Sequence, residues 1–423
     1  MFAVAKKNIR HFGLDVSAKS VPIYESLAHQ LEYFLLNGGD YHLAPNLGAD
    51  VLDQIDTFIA PFLALPDEHA RHIAVLWCAH CWLLDCWEHT PRLLFTSPEA
   101  GCGKTRALTL IGLFVPRAVH VADLTPAALY HSIDQAMELK GGRPTVLFDE
   151  FDTVFGSAET GRIRNEEMRR QINAGHDRNE TVARKMGKSV KEFRLYTPMA
   201  LAGKMSTDDV PATIRTRSVT IQMQRRRPQD KVERWNRRKH AAAAEAIRWG
   251  LQCWAELVHG YAQYYVGPDR PVLPEGIEDR DADVWEPLLA VAELAGGHWP
   301  ERARVAAVAA VAADGVKTAP SPGIELLADI KTVFDRLATE VIFTTALLAE
   351  LSGTDPRWRR LDGKRLARVL HDYGINQTNK DQRIGAKVTK GYRREYFEDA
   401  WTRYLPCAAT SATSATDEGS GGE

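Results

Sequence analysis

The stretch SPEAGCGKTRAL, from Ser97 to Leu108, decides the fold expected for this chain. It follows an apolar run, Leu93 to Phe95, that predicts a buried strand, and it precedes ALTLIGLF, which predicts a helix. A strand, a glycine-containing loop, Gly-Lys-Thr and a helix together form the phosphate-binding loop arrangement. Because Gly101 and Gly103 lack Cβ atoms, the backbone can turn its N–H groups toward phosphate oxygens. The stretch therefore predicts an α/β core with parallel strands that binds a nucleotide.

Two residues of this loop carry the predicted chemistry. Lys104 would place its charge on the β- and γ-phosphates of ATP, and the Thr105 hydroxyl would ligate Mg²⁺. The usual pattern has a first glycine where this chain has Pro98, which weakens the match, but the remaining loop residues can still surround a phosphate. The alternative is a Gly-x-Gly-Lys-Thr loop that occurs by chance. The loop positions predicted to bind ATP are Pro98, Glu99, Ala100, Gly101, Cys102, Gly103, Lys104, Thr105 and Arg106.

A second motif, PTVLFDEFDTVFG, begins at Pro144 and supports the same interpretation. A short apolar strand ends in Asp149 and Glu150, the acidic pair expected at the carboxyl edge of a neighbouring parallel strand. Asp149 would hold the magnesium and contribute to the ATP site, and Glu150 would polarise the attacking water. The alternative is a helix N-cap, since Asp after a strand often begins a helix.

Three arginines are candidates for sensing or stabilising the nucleotide. Arg215 and Arg217 lie between a short predicted helix and a strand, where an arginine can reach the γ-phosphate of a neighbouring subunit. We favour Arg217; surface arginines that stabilise the turn are the alternative. Arg280, at the start of a later helix, is a candidate second sensor or the partner of a helix salt bridge. Lys204 follows the third core strand, so a sensor there is either this lysine or absent.

Composition limits the class of protein. The chain has 423 residues, 45% hydrophobic and 26% charged, with a net charge of −2, which is typical of a globular protein of two to four domains. The first residues show no signal-peptide pattern and the apolar stretches are too short to span a bilayer, so we expect a cytoplasmic protein without a membrane partner. The Cys78-x-x-Cys81 pair, with His80 between, favours a buried helix over a zinc site, because no second cysteine pair follows.

The chain divides into five predicted segments. A Pro/Ser/Gly linker at Thr318–Gly323 marks the clearest boundary. The segments are an N-terminal helical region (1–66), an ATPase core (67–228), a helical lid (229–317), a winged-helix domain (318–406) and a disordered tail (407–423).

The winged-helix prediction rests on element order and charge. Three helices, a hairpin over Gln377–Val388 and a last helix follow the linker, in the order of a winged helix-turn-helix. Between Arg357 and Arg394 there are twelve Lys/Arg and three acids, a local excess that predicts phosphate contacts. The alternative is a basic domain that docks on an acidic protein. The residues predicted to contact DNA are Arg360, Lys364, Arg365, Arg368, Lys387 and Lys390.

Several blocks resemble a family of phage and mobile-element P-loop proteins. They are WLLDCWEHTPRLLFTSPEAGCGKTRAL, PTVLFDEFDTVFG, NEEMRRQINAGH, ALAGKMSTDDVPATIRTRSVTIQM, DRDADVWEPLLAVAELAGGHWPERAR and KGYRREYFEDAWTRYLP. The resemblance spans roughly residues 70 to 406, and the shared domain is of unknown function, labelled helicase-like or primase C-terminal-like. It implies an AAA+-like ATPase core that works as a hexameric homo-oligomeric ring, with Lys104, Thr105, Asp149, Glu150 and Arg217 in the roles given above.

The expected function is that of an ATP-dependent DNA helicase or translocase in replication of a phage or mobile element. Its substrate would be single-stranded or forked DNA, or a duplex origin. Two alternatives belong to other classes. One is an ATP-driven switch or helicase loader that binds duplex DNA through the winged helix, and the other is an ATPase of a defence or partition system that acts on a protein partner.

Overall fold

The computed structural model describes residues 47–122, 125–140, 142–154, 161–186, 189–263, 270–317, 322–376, 381–384 and 387–405. Most of the predicted N-terminal helical region, residues 1–46, and the predicted tail from 407 onward lie outside the described residues. The chain divides into two compact units, Met1–Lys317 and Thr318–Glu423. The division coincides with the start of the Pro/Ser/Gly stretch, whose residues 318–321 also lie outside the described part.

The first unit is a mixed α/β structure. Its strands are β1 (Arg92–Thr96), β2 (Ala118–Val121), β3 (Thr145–Phe148), β4 (Val182–Met186), β5 (Ser189–Phe193), β6 (Met199–Gly203) and β7 (Ser218–Gln222). Its described helices are α1 (Leu47–Ile59), α2 (Glu68–Trp82), α3 (Lys104–Ile111), α4 (Pro126–Lys140), α5 (Gly161–Ala174), α6 (Ala212–Arg215), α7 (Arg237–Ala262), α8 (Asp279–Ala295) and α9 (Trp299–Lys317).

Five of these strands form one parallel sheet in the order β2-β3-β6-β1-β7, so the predicted parallel sheet is confirmed. All five residues of β1 are buried, as expected for a strand covered on both faces. Leu93 and Phe95 pack on one face with α1–α3, whereas Leu94 packs on the other with residues of α4 and α5. The antiparallel pair β4–β5 is a separate hairpin.

The described helices of the segment predicted as a helical lid share a core with earlier helices of the first unit. Residues of α7, α8 and α9, such as Trp254, Leu288 and Ala306, belong to the same buried cluster as α1, α2 and α3. Large buried side chains, including Trp77 and Trp299, fill this layer. The helices therefore form one layer over the sheet. Cys78 and Cys81 lie buried on α2 within it.

The second unit contains four described helices and a three-stranded antiparallel sheet. The elements are α10 (Pro322–Leu337), β8 (Val341–Phe343), α11 (Thr344–Thr354), α12 (Gly363–Asp372), β9 (Asp381–Ile384), β10 (Lys387–Arg393) and α13 (Glu398–Tyr404). The sheet order is β8-β10-β9. The predicted hairpin bounds of 377–388 were wrong, because β10 continues to Arg393 in order to pair with β8, a strand that the sequence prediction omitted.

No described helix is both long and apolar enough to cross a lipid bilayer.

Candidate functional site

The carboxyl ends of three neighbouring strands meet at one edge of the sheet. Thr96 of β1 pairs with Gly203 of β6, and Leu201 of β6 pairs with Phe148 of β3. The residues that follow these ends are Ser97, Lys204 and Asp149. Because neighbouring strands lie about 4.8 Å apart, the loop after β1 and the acidic pair after β3 are separated by only about 10 Å of sheet. Ligands of open α/β sheets bind at this edge.

The loop between β1 and α3 has the backbone that its glycines permit. Gly101 and Gly103 have φ values of 77° and 88°, in the left-handed region, and α3 begins at Lys104 directly after Gly103. A Cβ at Gly101 would meet no atom within 4 Å, so backbone conformation rather than space requires glycine there. The resulting turn places the start of α3 at the sheet edge, where the first N–H groups of a helix have no partner within the helix and can bind an anion.

The Lys104 ammonium lies over this loop. It donates hydrogen bonds to Ser97 Oγ at 2.5 Å and to the Glu99 carbonyl at 3.2 Å. The Ser97 hydroxyl in turn donates to the Glu99 carbonyl at 2.6 Å. Sequence reasoning missed Ser97, whose only signal was its position directly after β1. The Thr105 side chain, one residue along α3, is exposed.

The acidic pair lies at the end of β3 in an unusual backbone. The Asp149 N–H donates to the Val121 carbonyl at 2.8 Å, and its carboxylate accepts from the Glu150 N–H at 3.0 Å. Glu150 is exposed and has a φ of +56°, a left-handed conformation that a residue with a Cβ rarely adopts. Such backbone strain clusters at functional sites. No sequence pattern predicts this conformation of Glu150.

Asp152 connects the acidic turn to the middle strand. Its carboxylate accepts from the Lys204 N–H at 2.8 Å. A Cβ at Gly203 would lie 3.0 Å from the Asp152 nitrogen, so glycine permits this close approach. Sequence reasoning missed Asp152, although the second aspartate of Asp-Glu-Phe-Asp was its visible signal.

An aromatic wall lies beside α3. The Leu63 side chain lies 3.7 Å from the position that a Cβ at Gly103 would occupy. The neighbouring Phe62 carbonyl lies 3.5 Å from Arg106 Nη1. The Phe62 ring contacts those of Trp235 and His240, with centroids 5.4 Å and 4.7 Å away. The half-buried Trp235 and His240 therefore lie near the same end of α3 as the loop between β1 and α3. Spacing alone could not have joined residues so distant in sequence.

The donor set fits a nucleotide with magnesium. A curled loop with a lysine over it suits phosphates, and one hydroxyl plus one carboxylate suits Mg²⁺, which keeps several waters and takes its other ligands from phosphates. Thr105 and Asp149 would hold the metal, which would supply positive charge to the phosphate oxygens. Within the described residues, no group of three or more His, Cys, Asp or Glu forms a metal site.

The predicted arginines lie elsewhere. Arg217 immediately precedes β7, its carbonyl accepts from the Arg92 N–H, and its Nη1 donates to the Thr213 carbonyl, both at 2.9 Å. Arg280 Nη1 lies 3.5 Å from Thr216 Oγ1. Because β7 runs parallel to β1, Arg217 and Arg280 are at the amino-terminal edge of the sheet, and the structure does not bring them to Lys104 of the same chain. Arg215, two residues before Arg217, pairs with Asp208 at 3.2 Å.

The second unit presents an exposed cationic face on α12. Lys364, Arg365 and Arg368 are exposed, while Leu366 and Leu370 of the same helix are buried. No ion pair joins these three cations to another described residue. In the same unit Arg336, Arg357 and Arg394 pair with carboxylates. Arg360 and Lys390 are also exposed, and the side chain of Lys387 lies outside the described part.

Comparisons with known proteins identify a family model and a relative. A model described as "Protein of unknown function (DUF3631)" matches residues 222–404. An uncharacterized 28.9 kDa protein in the xis 5′ region of Saccharopolyspora erythraea is 36% identical over 193 residues, which are 44% of this chain and 70% of that relative. The chain belongs to the DUF3631 family. The DUF3631 match begins at the last residue of β7, so it covers α7–α9 and the second unit but not the loop that carries Lys104.

Proposed function

We propose that this DUF3631 protein is a magnesium-dependent ATPase that acts on DNA as a helicase or translocase of a mobile element. The observation that carries the proposal is the common sheet edge at which the Lys104 loop and the Asp149–Glu150 turn meet. The left-handed glycines, the lysine over the loop and the strained glutamate are the arrangement expected of a phosphate site next to a catalytic carboxylate. We interpret the first unit as an AAA+-like P-loop core on this basis.

Each residue of the edge has a role in this proposal. When ATP binds, the Lys104 ammonium replaces its hydrogen bonds to Ser97 Oγ and the Glu99 carbonyl with hydrogen bonds to phosphate oxygens. These are stronger acceptors because they are charged. Thr105 and Asp149 hold Mg²⁺. Glu150 orients and polarises the attacking water, while Asp152 fixes the turn on which Glu150 lies.

The position of Arg217 supports action as an oligomer. An arginine at the amino-terminal edge of the sheet cannot assist hydrolysis at the opposite edge of the same chain. If it stabilises the γ-phosphate, it does so for the nucleotide of a neighbouring copy, as in a hexameric ring. Arg215 is held by Asp208 and is the weaker candidate. Arg280 lies beside the same edge and would also act in a neighbour.

The cations of α12, which form no ion pair with another described residue, support DNA as the partner. Cations without carboxylate partners are available to bind DNA phosphates, which releases the counterions condensed on the DNA and favours nucleic acid as the partner. We interpret α11, α12 and the β9–β10 hairpin as a winged helix-turn-helix with α12 as the DNA-contacting helix. The xis 5′ region named for the relative fits a protein of a mobile element.

Equilibrium binding of a fluorescent ATP analogue tests the nucleotide site itself. The wild-type chain should bind with magnesium, and Lys104→Ala should weaken binding at least about tenfold, because the loop loses the ammonium that would contact the phosphates. Lys239→Ala, which removes an exposed lysine of α7, is the matched control and should bind like the wild type. Equal binding by the wild type and Lys104→Ala would refute the site.

A further inference from the structure

Arginines gather at the amino-terminal edge of the parallel sheet, opposite the edge that carries Lys104. Four of its five strands begin with an arginine or follow one by no more than two residues. These arginines are Arg92 for β1, Arg117 for β2, Arg143 for β3 and Arg217 for β7. The chain that leads into β6 and the chain that leaves α5 meet at the same edge, since the Thr197 N–H donates to the Gly175 carbonyl.

Three arginines of this edge lie around Tyr196, a buried residue that precedes β6. They are Arg143, Arg178 and Arg194, and we call them the Tyr196 arginine cluster. Arg143 Cζ lies 5.5 Å from the centroid of the Tyr196 ring, and Arg178 Cζ lies 5.9 Å from it. Burial lowers the pKa of the Arg143 guanidinium, and the charges of Arg178 and Arg194 lower it further, so both lie close enough to repel Arg143. An anion between such cations relieves this repulsion.

Backbone carbonyls rather than carboxylates hold the cluster. Arg143 Nη1 donates to the Tyr196 carbonyl at 2.7 Å, and Arg178 Nη2 donates to the Asp85 carbonyl. Within the described residues, no ion pair involves Arg143, Arg178 or Arg194. The Asp85 carboxylate raises the pKa of Arg143, but its side chain is exposed, so water weakens its effect on the cluster. The cluster therefore keeps most of its positive charge for a ligand.

A buried guanidinium adds to this charge. Arg92 is fully buried, and its Nη1 and Nη2 donate to the Thr197 and Ile172 carbonyls, both at 2.7 Å. Burial lowers the pKa of Arg92 to about 9, so it stays charged at neutral pH. Burial raises the pKa of the Tyr196 hydroxyl and the charge of Arg92 opposes this rise, so Arg92 lies within electrostatic reach of the ring. Its charge strengthens the positive potential at this edge of the sheet.

We propose that the Tyr196 arginine cluster is a second phosphate-binding site, on the edge of the sheet opposite the Lys104 loop. The planar fork of a guanidinium can donate two parallel hydrogen bonds to phosphate oxygens. The contacts with Tyr196 and the backbone bonds hold Arg143 and Arg178 in place before a ligand arrives, which reduces the entropy lost on binding. The phosphate belongs either to the backbone of single-stranded DNA or to a free polyphosphate. The site does not depend on ATP binding at Lys104 or on DNA binding at α12.

Binding is measured on the full chain after the two phosphate sites proposed above are removed by Lys104→Ala, Arg365→Ala and Arg368→Ala. The probes are a fluorescent single-stranded oligonucleotide, followed by anisotropy, and inorganic tripolyphosphate, followed by calorimetry. Adding Arg178→Gln and Arg194→Gln to this parent should weaken at least one probe about tenfold. For the oligonucleotide, the slope of log affinity against log salt should also flatten by about 0.7 for each lost contact. A loss confined to one probe identifies the source of the phosphate.

The matched control is Arg225→Gln with Arg226→Gln, which removes the same charge from two exposed arginines that follow β7. It should leave both affinities of the parent unchanged. A second measurement needs no substitution in the cluster and so does not depend on how the variants fold. Phenylglyoxal, which reacts with guanidiniums, should label Arg178 and Arg194 of the parent more slowly when the effective probe is bound.

Three results would overturn the proposal. One is a parent chain that binds neither the oligonucleotide nor tripolyphosphate. Another is a cluster variant that loses no more affinity for either probe than the control variant does, which would mean that net charge alone governs binding. The third is phenylglyoxal labelling of Arg178 and Arg194 that neither probe slows.

Discussion

The Asp152 carboxylate accepts a hydrogen bond from the Lys204 backbone N–H at 2.8 Å, although the two residues are 52 positions apart. The bond joins the turn after β3 to the end of β6, the strand that lies between the acidic pair and the Lys104 loop. It therefore fixes the position of Glu150, two residues before Asp152, relative to the loop. On this account Asp152 is a positioning residue for ATP hydrolysis.

Asp152→Ala should lower kcat about tenfold to a hundredfold while changing the affinity for ATP less than about threefold, because it frees the Glu150 turn without touching the loop. Asp152→Asn keeps the acceptor oxygen and should restore most of the activity. Steady-state kinetics and nucleotide titration of both variants make the measurement. If Asp152→Asn lowered kcat as much as Asp152→Ala, the hydrogen bond to the Lys204 N–H would not be the way in which Asp152 supports hydrolysis.

The left-handed Glu150 predicts a conflict between stability and activity. Glu150→Gly should raise the free energy of unfolding by about 1 kcal/mol, because glycine adopts a φ of +56° without the strain imposed by a Cβ. Glu150→Gln keeps the strain and should leave stability unchanged. Both should lower hydrolysis at least about a hundredfold while ATP still binds.

Denaturant unfolding and ATPase assays of the two variants test this pair of effects. A Glu150→Gly variant that is less stable than Glu150→Gln would show that the left-handed conformation is not strained. A Glu150→Gln variant with the wild-type rate would remove Glu150 from the catalytic step.

The α12 surface should account for DNA affinity. Arg365→Ala combined with Arg368→Ala should weaken DNA binding at least about tenfold and flatten the slope of log affinity against log salt by about one for each lost phosphate contact. Arg336→Ala is the matched control, since Arg336 is paired with Glu350 and should contribute little. Anisotropy titrations with duplex and single-stranded DNA at several salt concentrations provide the data. If Arg336→Ala weakened DNA binding as much as the double change on α12, the DNA would not bind at α12.

Buried histidines predict a loss of stability in mild acid. Burial lowers the pKa of His80 and of His176 to about 3 from an ordinary value of 6.5. Below pH 6.5 the unfolded chain therefore binds protons that the folded chain excludes until near pH 3. Stability that is present above pH 6.5 is lost as the pH falls, by up to about 1.4 kcal/mol per pH unit for each histidine.

Unfolding free energies measured between pH 7.5 and 5 test this dependence. His80→Leu removes one of the two groups from an apolar position and should reduce the slope by about one proton. An unchanged slope in His80→Leu would show that this imidazole is not excluded from protonation in the folded chain.

Local sequence patterns were sufficient to predict the sheet edge that carries the candidate site. Apolar strands followed by Gly-Lys-Thr or by Asp-Glu are short patterns, and parallel pairing brings their ends together regardless of the intervening chain. Ser97 and Asp152 were missed because their roles depend on contacts with Lys104 and Lys204 that only the folded backbone creates. The conformation of Glu150 was equally invisible, since glutamate ordinarily avoids a positive φ.

The prediction was poorest where distant segments compete for pairing or burial. The hairpin bounds near residue 388 were wrong because pairing with β8, some 45 residues earlier, extends β10. Residues such as Trp254, from the helices of 229–317, pack in the same core as α1 and α2, which no local pattern indicates. An amphipathic pattern shows that a helix buries one face without showing what covers it.

The steady-state rate of ATP hydrolysis by the purified chain, with and without single-stranded and duplex DNA, tests the central claim most directly. We predict magnesium-dependent hydrolysis that single-stranded DNA stimulates about tenfold or more and that Lys104→Ala abolishes, while Lys239→Ala retains it. Hydrolysis that persists in Lys104→Ala, or a wild-type chain that hydrolyses no ATP with either DNA, would contradict the account.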